Sequence, residues 1–204
     1  MYKTVVFDLD GTLLNTLTDL ADAGNRLCRK YGWPTHERQA YRYFVGNGIP
    51  KLVERPALAD FKRDYGQHLR DTTAPYPGIP EMLAKLKANG VQLAVFSNKA
   101  DALAKEVVKD YFGTQYFTIV RGQMTGVAPK PAAEGTNALL QALHADPAST
   151  LYVGDSNVDV ETAHNANLPC CGAVWGFRTR EELNAAGAEY LAENSDELYD
   201  VIMK

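Results

Sequence analysis

The chain has 204 residues, of which 46% are hydrophobic and 23% charged, and its formal net charge is −4. A chain of this length buries enough surface to fold without disulfides or a structural metal. Because the weakly acidic balance contains no run of Lys or Arg, it argues against a nucleic acid or an anionic membrane as the main partner. The functional ligand is therefore expected to be of another kind.

Two further features bear on the compartment. No apolar stretch approaches the ~18 residues of a membrane span, and strand-like sequence begins at Thr4, which leaves no space for a signal peptide. We therefore expect a cytoplasmic protein. The cysteines are Cys28, Cys170 and Cys171, an odd number, and an adjacent pair is poorly placed to form a disulfide. We expect them to be reduced and buried.

The chain begins with a short β-branched run, Thr4-Val5-Val6-Phe7, which is typical of a strand buried on both faces. The stretch that follows, residues 15–77, holds an amphipathic helix from about Leu17 to Tyr31 and then helical pieces interrupted by Gly and Pro. It contains no convincing strand. We interpret residues 15–77 as a small all-helical cap, either complete or truncated, inserted after the first strand, and residues 1–14 and 78–204 as the core domain.

Strand and helix patterns alternate through the rest of the chain. Strand-like runs occur at Val91 to Phe96, Tyr116 to Val120, Thr150 to Val153 and Gly172 to Trp175. Helical patterns occur at Pro80 to Lys87, Ala102 to Phe112, Pro131 to His144 and Val158 to Asn167. This alternation predicts an α/β fold, a Rossmann-like parallel sheet with helices on both faces.

Polar residues follow several of these runs, where ligands bind in a parallel sheet. The segments are Asp8-Leu9-Asp10-Gly11-Thr12, Ser97-Asn98-Lys99 and Gly154-Asp155-Ser156-Asn157-Val158-Asp159, and Lys130 lies in the loop after the third strand. Because Asp8 and Asp10 are two residues apart, extended backbone would turn both side chains to one side. With Asp155 from another strand they would form an oxygen-rich site of the type that Mg²⁺ prefers. Any one of these acids could instead simply cap a helix.

These four segments, in this order, resemble the motifs of the haloacid dehalogenase-like (HAD) hydrolase superfamily. The chain is most similar to its phosphoglycolate phosphatase-like branch, whose Tyr-Pro-Gly, Gly-Asp-Ser and Trp-Gly-Phe-Arg signatures recur at Tyr76, Gly154 and Trp175. The resemblance implies a Mg²⁺-dependent phosphatase that hydrolyses a small phosphate monoester, similar to phosphoglycolate, through an aspartyl-phosphate. The expected partner is a small phosphorylated metabolite, and the chain is expected to be a monomer or homodimer.

The resemblance also implies a role for each matching residue. Asp8 would be the nucleophile and Asp10 the acid and base. Ser97, the amide of Asn98, Lys130 and the backbone near Gly11 would bind the phosphoryl oxygens. Asp8, the Asp10 carbonyl and Asp155 would hold the metal, with Asp159 acting through water or by orienting Lys130. Lys99 and Arg178 are left outside this predicted site, since exposed cations usually contact solvent.

Other activities use a similar set of residues. A halide-releasing hydrolase of the superfamily needs no acid at the position of Asp10, so Asp10 favours phosphoryl transfer. A phospho-accepting signalling domain, or a binding protein on the same fold, is a remote alternative. A pyrophosphatase and a sugar-phosphate phosphatase or mutase of the same superfamily remain open.

The cap sequence is the part that departs from the family. The portion between Leu58 and Tyr76 is too short for the usual pair of full helices, which predicts a reduced and more open lid. The turn Gly46-Asn47-Gly48, with Lys51 or Arg55, is a candidate contact for a second anionic group of the substrate, although an ordinary helix connector explains it equally well.

Overall fold

The computed structural model describes residues 1–45 and 55–204, with the backbone alone described for residues 55 and 56. The Gly46-Asn47-Gly48 turn and the side chains of Lys51 and Arg55 therefore lie outside the described residues. Among the described residues no helix is long and apolar enough to cross a membrane. Cys28, Cys170 and Cys171 are buried and unbridged, as the sequence predicts.

A parallel sheet of six strands forms the centre of the fold. The strands are β1 (Thr4–Phe7), β4 (Gln92–Ala100), β5 (Phe117–Gln123), β6 (Thr150–Gly154), β7 (Cys170–Ala173) and β8 (Tyr190–Ala192). Across the sheet they lie in the order β5-β4-β1-β6-β7-β8. β1 lies at the middle, with Phe7 in register with Val95 on one side and Val153 on the other. The predicted fold class is confirmed, although β8, a three-residue edge strand, was not predicted.

Helices cover both faces of this sheet. They are α4 (Ile79–Ala88), α5 (Asp101–Phe112), α6 (Ala133–Leu143), α7 (Asn157–Asn165), α8 (Arg180–Ala186) and α9 (Ser195–Met203). Successive side chains of β1 point to opposite faces, so Val5 and Phe7 enter one core cluster and Val6 the other. With both neighbouring strands equally apolar, this burial holds the carboxyl end of β1 at a fixed position in the middle of the sheet.

Among the described residues, three helices lie between β2 (Leu14–Asn15) and β3 (Ala74–Pro75), which pair antiparallel. They are α1 (Leu17–Tyr31), α2 (Arg38–Phe44) and α3 (Arg55–Gln67). α1 ends at Gly32, whose φ of 69° is the left-handed conformation that glycine adopts readily. The β2–β3 pair brings the two ends of this helical segment together. That residues 15–77 form a separate domain stays a prediction.

Asp19 fastens the first cap helix to the segment that returns to the core. Its buried carboxylate accepts hydrogen bonds from the backbone amides and the hydroxyls of Thr72 and Thr73, at 2.6 to 3.1 Å. Burial by itself raises the pKa of this carboxyl, but the four donors outweigh it and leave the pKa below its ordinary value. The charged form of Asp19 is therefore the one that the fold stabilises.

We expect Asp19→Asn to lower the free energy of unfolding by about 2 kcal/mol at pH 7, because an amide cannot accept four hydrogen bonds. A carboxyl with a lowered pKa contributes stability above the unfolded value of about 4 and loses it as the pH falls through the folded value. The difference from the unmodified chain should therefore shrink below about pH 4. Urea denaturation at several pH values measures both effects.

Asp22→Asn is the matched control, because Asp22 lies on the same helix with its side chain exposed. Equal free energies of unfolding for the two variants would contradict the role given to Asp19.

Candidate active site

The carboxyl end of β1 and its two neighbouring strands carry the side chains that the sequence singled out. Asp8 follows β1, Asp155 follows β6, and Ser97 lies within β4, which continues with an irregular register from Phe96 to Ala100. Lys130 enters from the loop before α6. These four side chains are all buried and line one cavity.

Three carboxylates form a compact cluster at the floor of this cavity. Asp8, Asp155 and Asp159 each offer one oxygen, and these oxygens lie within 4.8 Å of one another. Burial raises the pKa of the Asp8 carboxyl to about 7 and raises that of Asp155 well above its ordinary value. Both acids are thus destabilised in their charged form, which is the condition that a bound cation relieves.

Lys130 is the cation that the chain itself supplies to this cluster. Its Nζ lies 2.8 Å from Asp8 Oδ1 and 2.6 Å from Asp159 Oδ1. Although burial lowers the pKa of Lys130, the two carboxylates raise it further, so the side chain stays charged. Three carboxylates against one ammonium leave two negative charges, which a divalent cation would neutralise. The residues present therefore fit such an ion.

Asp159 acts on the cluster through other residues. One of its oxygens accepts from Lys130, and the other accepts from the backbone N and the Oγ of Ser156 at 3.1 and 2.6 Å. The contact from the Ser156 backbone N is one half of a capping box at the start of α7. The sequence left two roles open for Asp159, contact with the metal through water or orientation of Lys130. These contacts fit the second role.

Asn98 fixes the backbone that carries Lys130. Its Oδ1 accepts from the Lys130 backbone N at 2.8 Å, and its Nδ2 donates to the Lys130 carbonyl at 3.3 Å. The end of β4 and the Lys130 loop are thus held together by one amide side chain. This contact was not predicted, because the two segments lie 32 residues apart and only the sheet topology makes them neighbours.

Asp155 sits in a space that two glycines leave open. A Cβ at Gly11 would lie 2.2 Å from Asp155 Oδ2, and a Cβ at Gly176 would lie 2.2 Å from Asp155 Cβ. Thr12 Oγ1 and the backbone N of Phe177 donate to the two carboxylate oxygens at 3.2 and 2.7 Å. The loops after β1 and β7 therefore determine together where this carboxylate points.

Asp10 is absent from the carboxylate cluster. Its Oδ1 lies instead 2.9 Å from the Nζ of Lys99, which also contacts the hydroxyl of Tyr65 at 2.6 Å. The expectation that Lys99 is an exposed cation is wrong, because it is only 6% exposed. The alternation of side chains along a strand could have indicated this burial, since Lys99 is two residues after Ser97 and faces the same side.

The expectation that Arg178 is exposed is also wrong. It is 4% exposed and lines the cavity, where its guanidinium donates to the carbonyls of Arg42 and Val45 at the end of α2. It also lies 4.8 Å from the centre of the Tyr43 ring. The position of the Arg178 guanidinium could not be predicted from the sequence, because its hydrogen-bond partners are backbone carbonyls of the cap.

The cap closes the cavity from above with apolar side chains. Those from the described part of the cap are Leu20, Tyr41, Phe44, Val45, Phe61 and Tyr65. The enclosed space is about 60 Å³, and Asp8 beneath it is only 7% exposed. The described cap side chains lie over the strand ends, and the expectation of a reduced and more open lid stays a prediction, since residues 46–54 of the cap lie outside the described residues.

Comparisons with known proteins agree with this geometry. The family described as haloacid dehalogenase-like hydrolase matches residues 5–173. A phosphoglycolate phosphatase from Chromobacterium violaceum is 32% identical over 216 residues, covering 98% of this chain and 96% of the relative. The chain belongs to the haloacid dehalogenase-like hydrolase family. The predicted membership of this family, and with it the prediction of a phosphatase, is confirmed.

Solved structures of the family extend the likeness to the whole fold. A protein from Lactobacillus delbrueckii subsp. bulgaricus, provisionally assigned as a phosphoglycolate phosphatase, has a TM-score of 0.92 at 28% identity, with 98% of both chains covered. CbbY from Rhodobacter sphaeroides, solved with xylulose-(1,5)bisphosphate, has a TM-score of 0.82 at 23% identity, with 97% of this chain and 96% of that chain covered. The second likeness shows the fold alone.

We expect Gly11→Ala to reduce phosphatase turnover about a hundredfold, because the added Cβ displaces the Asp155 carboxylate by an ångström or more. Gly90→Ala is the matched control. Gly90 also has a positive φ, 78° against 92° for Gly11, but nothing lies within 4 Å of its Cβ position. Both variants should lose about 1 kcal/mol of stability from backbone strain. Similar turnover in the two variants would contradict the packing argument.

Proposed function

We propose that this chain is a Mg²⁺-dependent phosphatase that hydrolyses a small phosphate monoester through an aspartyl-phosphate on Asp8. The observation that supports it best is the position of the Asp8 carboxylate, which touches Lys130, belongs to the buried acid cluster and faces an enclosed cavity. A nucleophile needs a free approach, a partner for its charge, and exclusion of bulk water. The cavity supplies the first and the third of these, and Lys130 supplies the second.

In this proposal Asp8 attacks phosphorus and the ester bond to the leaving oxygen breaks. Water then attacks the phosphorus of the aspartyl-phosphate and restores the Asp8 carboxylate. Lys130, 2.8 Å from Asp8, offsets negative charge while the phosphoryl group approaches. Because Asp159 holds the other side of the Lys130 ammonium, this cation is in position before substrate arrives.

The metal site proposed here consists of Asp8, the backbone carbonyl of Asp10 and Asp155, with Asp159 contributing through Lys130. Its ligands are hard oxygens, and the uncompensated charge of the cluster fits a divalent ion. When bound, the ion would withdraw charge from the phosphoryl oxygens and hold them beside Asp8.

Asp10 is proposed as the acid and base. It gives a proton to the departing oxygen in the first step and takes one from the attacking water in the second. Its side chain is available for this role because it is turned away from the carboxylate cluster, with its Oδ1 2.9 Å from the Nζ of Lys99. Lys99 thus serves as a positioning residue, and its contact with Tyr65 links Asp10 to the cap.

The phosphoryl oxygens are proposed to contact the Ser97 hydroxyl, the backbone amide of Asn98, the backbone at Gly11 and the Lys130 ammonium. Ser97 and Lys130 are buried and line the same cavity as Asp8. Donors at fixed positions around a transferring phosphoryl group supply most of the catalysis in such reactions.

The leading substrate is a carboxylate-bearing ester of the 2-phosphoglycolate type. The small enclosed cavity supports a small metabolite, and the relative from Chromobacterium violaceum carries the name of that activity. A sugar phosphate is the second candidate, since CbbY, which shares the fold, was solved with xylulose-(1,5)bisphosphate. We keep pyrophosphate as a further alternative, and a cytoplasmic location and a monomer or homodimer as predictions.

We expect Asp8→Asn to lower turnover of 2-phosphoglycolate by several orders of magnitude while leaving the fold intact, because the near-isosteric amide is not a competent nucleophile. Steady-state phosphate release and far-UV circular dichroism measure the two effects. Asp200→Asn, an exposed carboxylate on α9, is the control and should keep full turnover. A folded Asp8→Asn protein that retains a tenth of the activity would refute the nucleophile assignment.

Mg²⁺ should stabilise the protein even without substrate, because it relieves repulsion among buried carboxylates. At about a hundred times its dissociation constant, the expected gain is about 3 kcal/mol, removed by EDTA. Asp155→Asn should abolish most of this gain, and thermal denaturation measures it. Ca²⁺ should support turnover poorly, because its longer bonds distort the attack geometry. An undiminished Mg²⁺ effect in Asp155→Asn would place the ion elsewhere.

A further inference from the structure

Arg178 differs from the other cations that line the catalytic cavity. Lys130 lies between Asp8 and Asp159, and Lys99 is paired with Asp10. Within the described part of the chain, Arg178 makes no ion pair with a carboxylate and donates only to the carbonyls of Arg42 and Val45. A buried guanidinium without an anionic partner is costly, and it is the kind of group that an anionic ligand pairs with.

The backbone beside Arg178 is held by the metal-site residues. Phe177 donates its N–H to Asp155 Oδ2 at 2.7 Å, and Gly176 packs against the same carboxylate. Arg178 therefore begins at the catalytic floor and reaches upward to the carbonyls of the cap. Its guanidinium is held between the two, and Arg178 lines the same cavity as Asp8.

The in-line geometry of phosphoryl transfer places the leaving group on the cap side of the cavity. Attacking and leaving oxygens lie roughly opposite each other across phosphorus. Since Asp8 attacks from the sheet edge, the organic part of the ester must point away from the sheet and toward α2 and α3. The phosphoryl group stays with Ser97 and Lys130 at the floor, whereas Arg178 is beside the path of the leaving group.

We propose that Arg178 binds the carboxylate of the leaving group and so makes this enzyme prefer phosphate esters that carry a second anionic group close to phosphorus. This inference rests on the proposed phosphatase function. A planar guanidinium pairs with a carboxylate through two parallel hydrogen bonds, which a neutral hydroxyl cannot reproduce. Arg178 is thus the specificity-determining residue for the charge of the leaving group.

A purely structural role for Arg178 makes a different prediction. Arg178 and Arg42 exchange hydrogen bonds across the junction of core and cap, since Arg42 donates to the Gly176 carbonyl at 2.5 Å while Arg178 donates to the Arg42 carbonyl. Arg42 does not line the cavity. If Arg178 only fastened the cap, loss of either arginine would slow all substrates by a common factor.

The test compares 2-phosphoglycolate with 2-hydroxyethyl phosphate, which replaces the carboxylate by a neutral group of similar size. The measured quantity is the ratio of kcat/KM for the two esters, in the unmodified enzyme and in Arg178→Gln, Arg178→Lys and Arg42→Gln. We expect Arg178→Gln to lower this ratio at least about tenfold, mainly through KM for the carboxylate ester. Arg178→Lys should recover part of the ratio, and Arg42→Gln should leave it unchanged.

An unchanged ratio in Arg178→Gln, or an equal fall in Arg42→Gln, overturns the inference while the phosphatase function stands. Failure of the unmodified enzyme to hydrolyse either ester refutes the 2-phosphoglycolate type of substrate and the inference with it, while turnover of a sugar phosphate or of pyrophosphate in the same assay would keep the phosphatase function. If Arg178→Gln does not fold, Arg178→Lys decides, because a cation too short for two parallel bonds must still lower the ratio. Calorimetric titration of Asp8→Asn with 2-phosphoglycolate, with and without Arg178→Gln, should show the same loss in binding without turnover.

Discussion

The confinement of negative charge at the end of the central strand is the constraint on which the rest of this structure depends. β1 is buried by neighbours on both sides, so Asp8 is reached only through the cavity, and Asp155 and Asp159 lie beside it, after β6 and within α7. Burial raises the pKa of the Asp8 and Asp155 carboxyls. Several surrounding groups hold these charges in place. They are Lys130, Gly11, Gly176 and Ser156, the residue that caps α7.

The cap depends on the same charges through two cations of the core. Lys99 reaches from β4 to Tyr65 of α3 while pairing with Asp10, and Arg178 reaches from the loop after β7 to the last carbonyls of α2. Each of these side chains contacts the catalytic cavity and the cap at once. A change in how the cap sits must therefore alter the surroundings of Asp10 and of the leaving group together.

Local sequence patterns predicted the central features because those features are local. The β-branched run before Asp8, the spacing of two between Asp8 and Asp10, and the order of the four motifs each depend on a few consecutive residues. Lys99 and Arg178 were missed because burial was judged from residue type. Their positions follow from contacts with Tyr65, Arg42 and Val45, which are 34 to 136 residues away in the chain. β8 was missed because three residues carry too little periodicity.

The arrangement of charges is the physical basis of the selectivity proposed for the leaving group. Asp10 pairs with Lys99, and the acid cluster lacks two positive charges, so a divalent cation would complete the floor. With the floor neutral, the remaining described charge facing the cavity would be that of Arg178, on the cap side. A phosphate ester would then meet a field that runs from a balanced floor to a positive wall. An anionic leaving group would gain from this field, whereas a neutral one would leave the guanidinium with two backbone carbonyls and the Tyr43 ring. The enclosure by apolar side chains strengthens that difference, because little water is available to screen it.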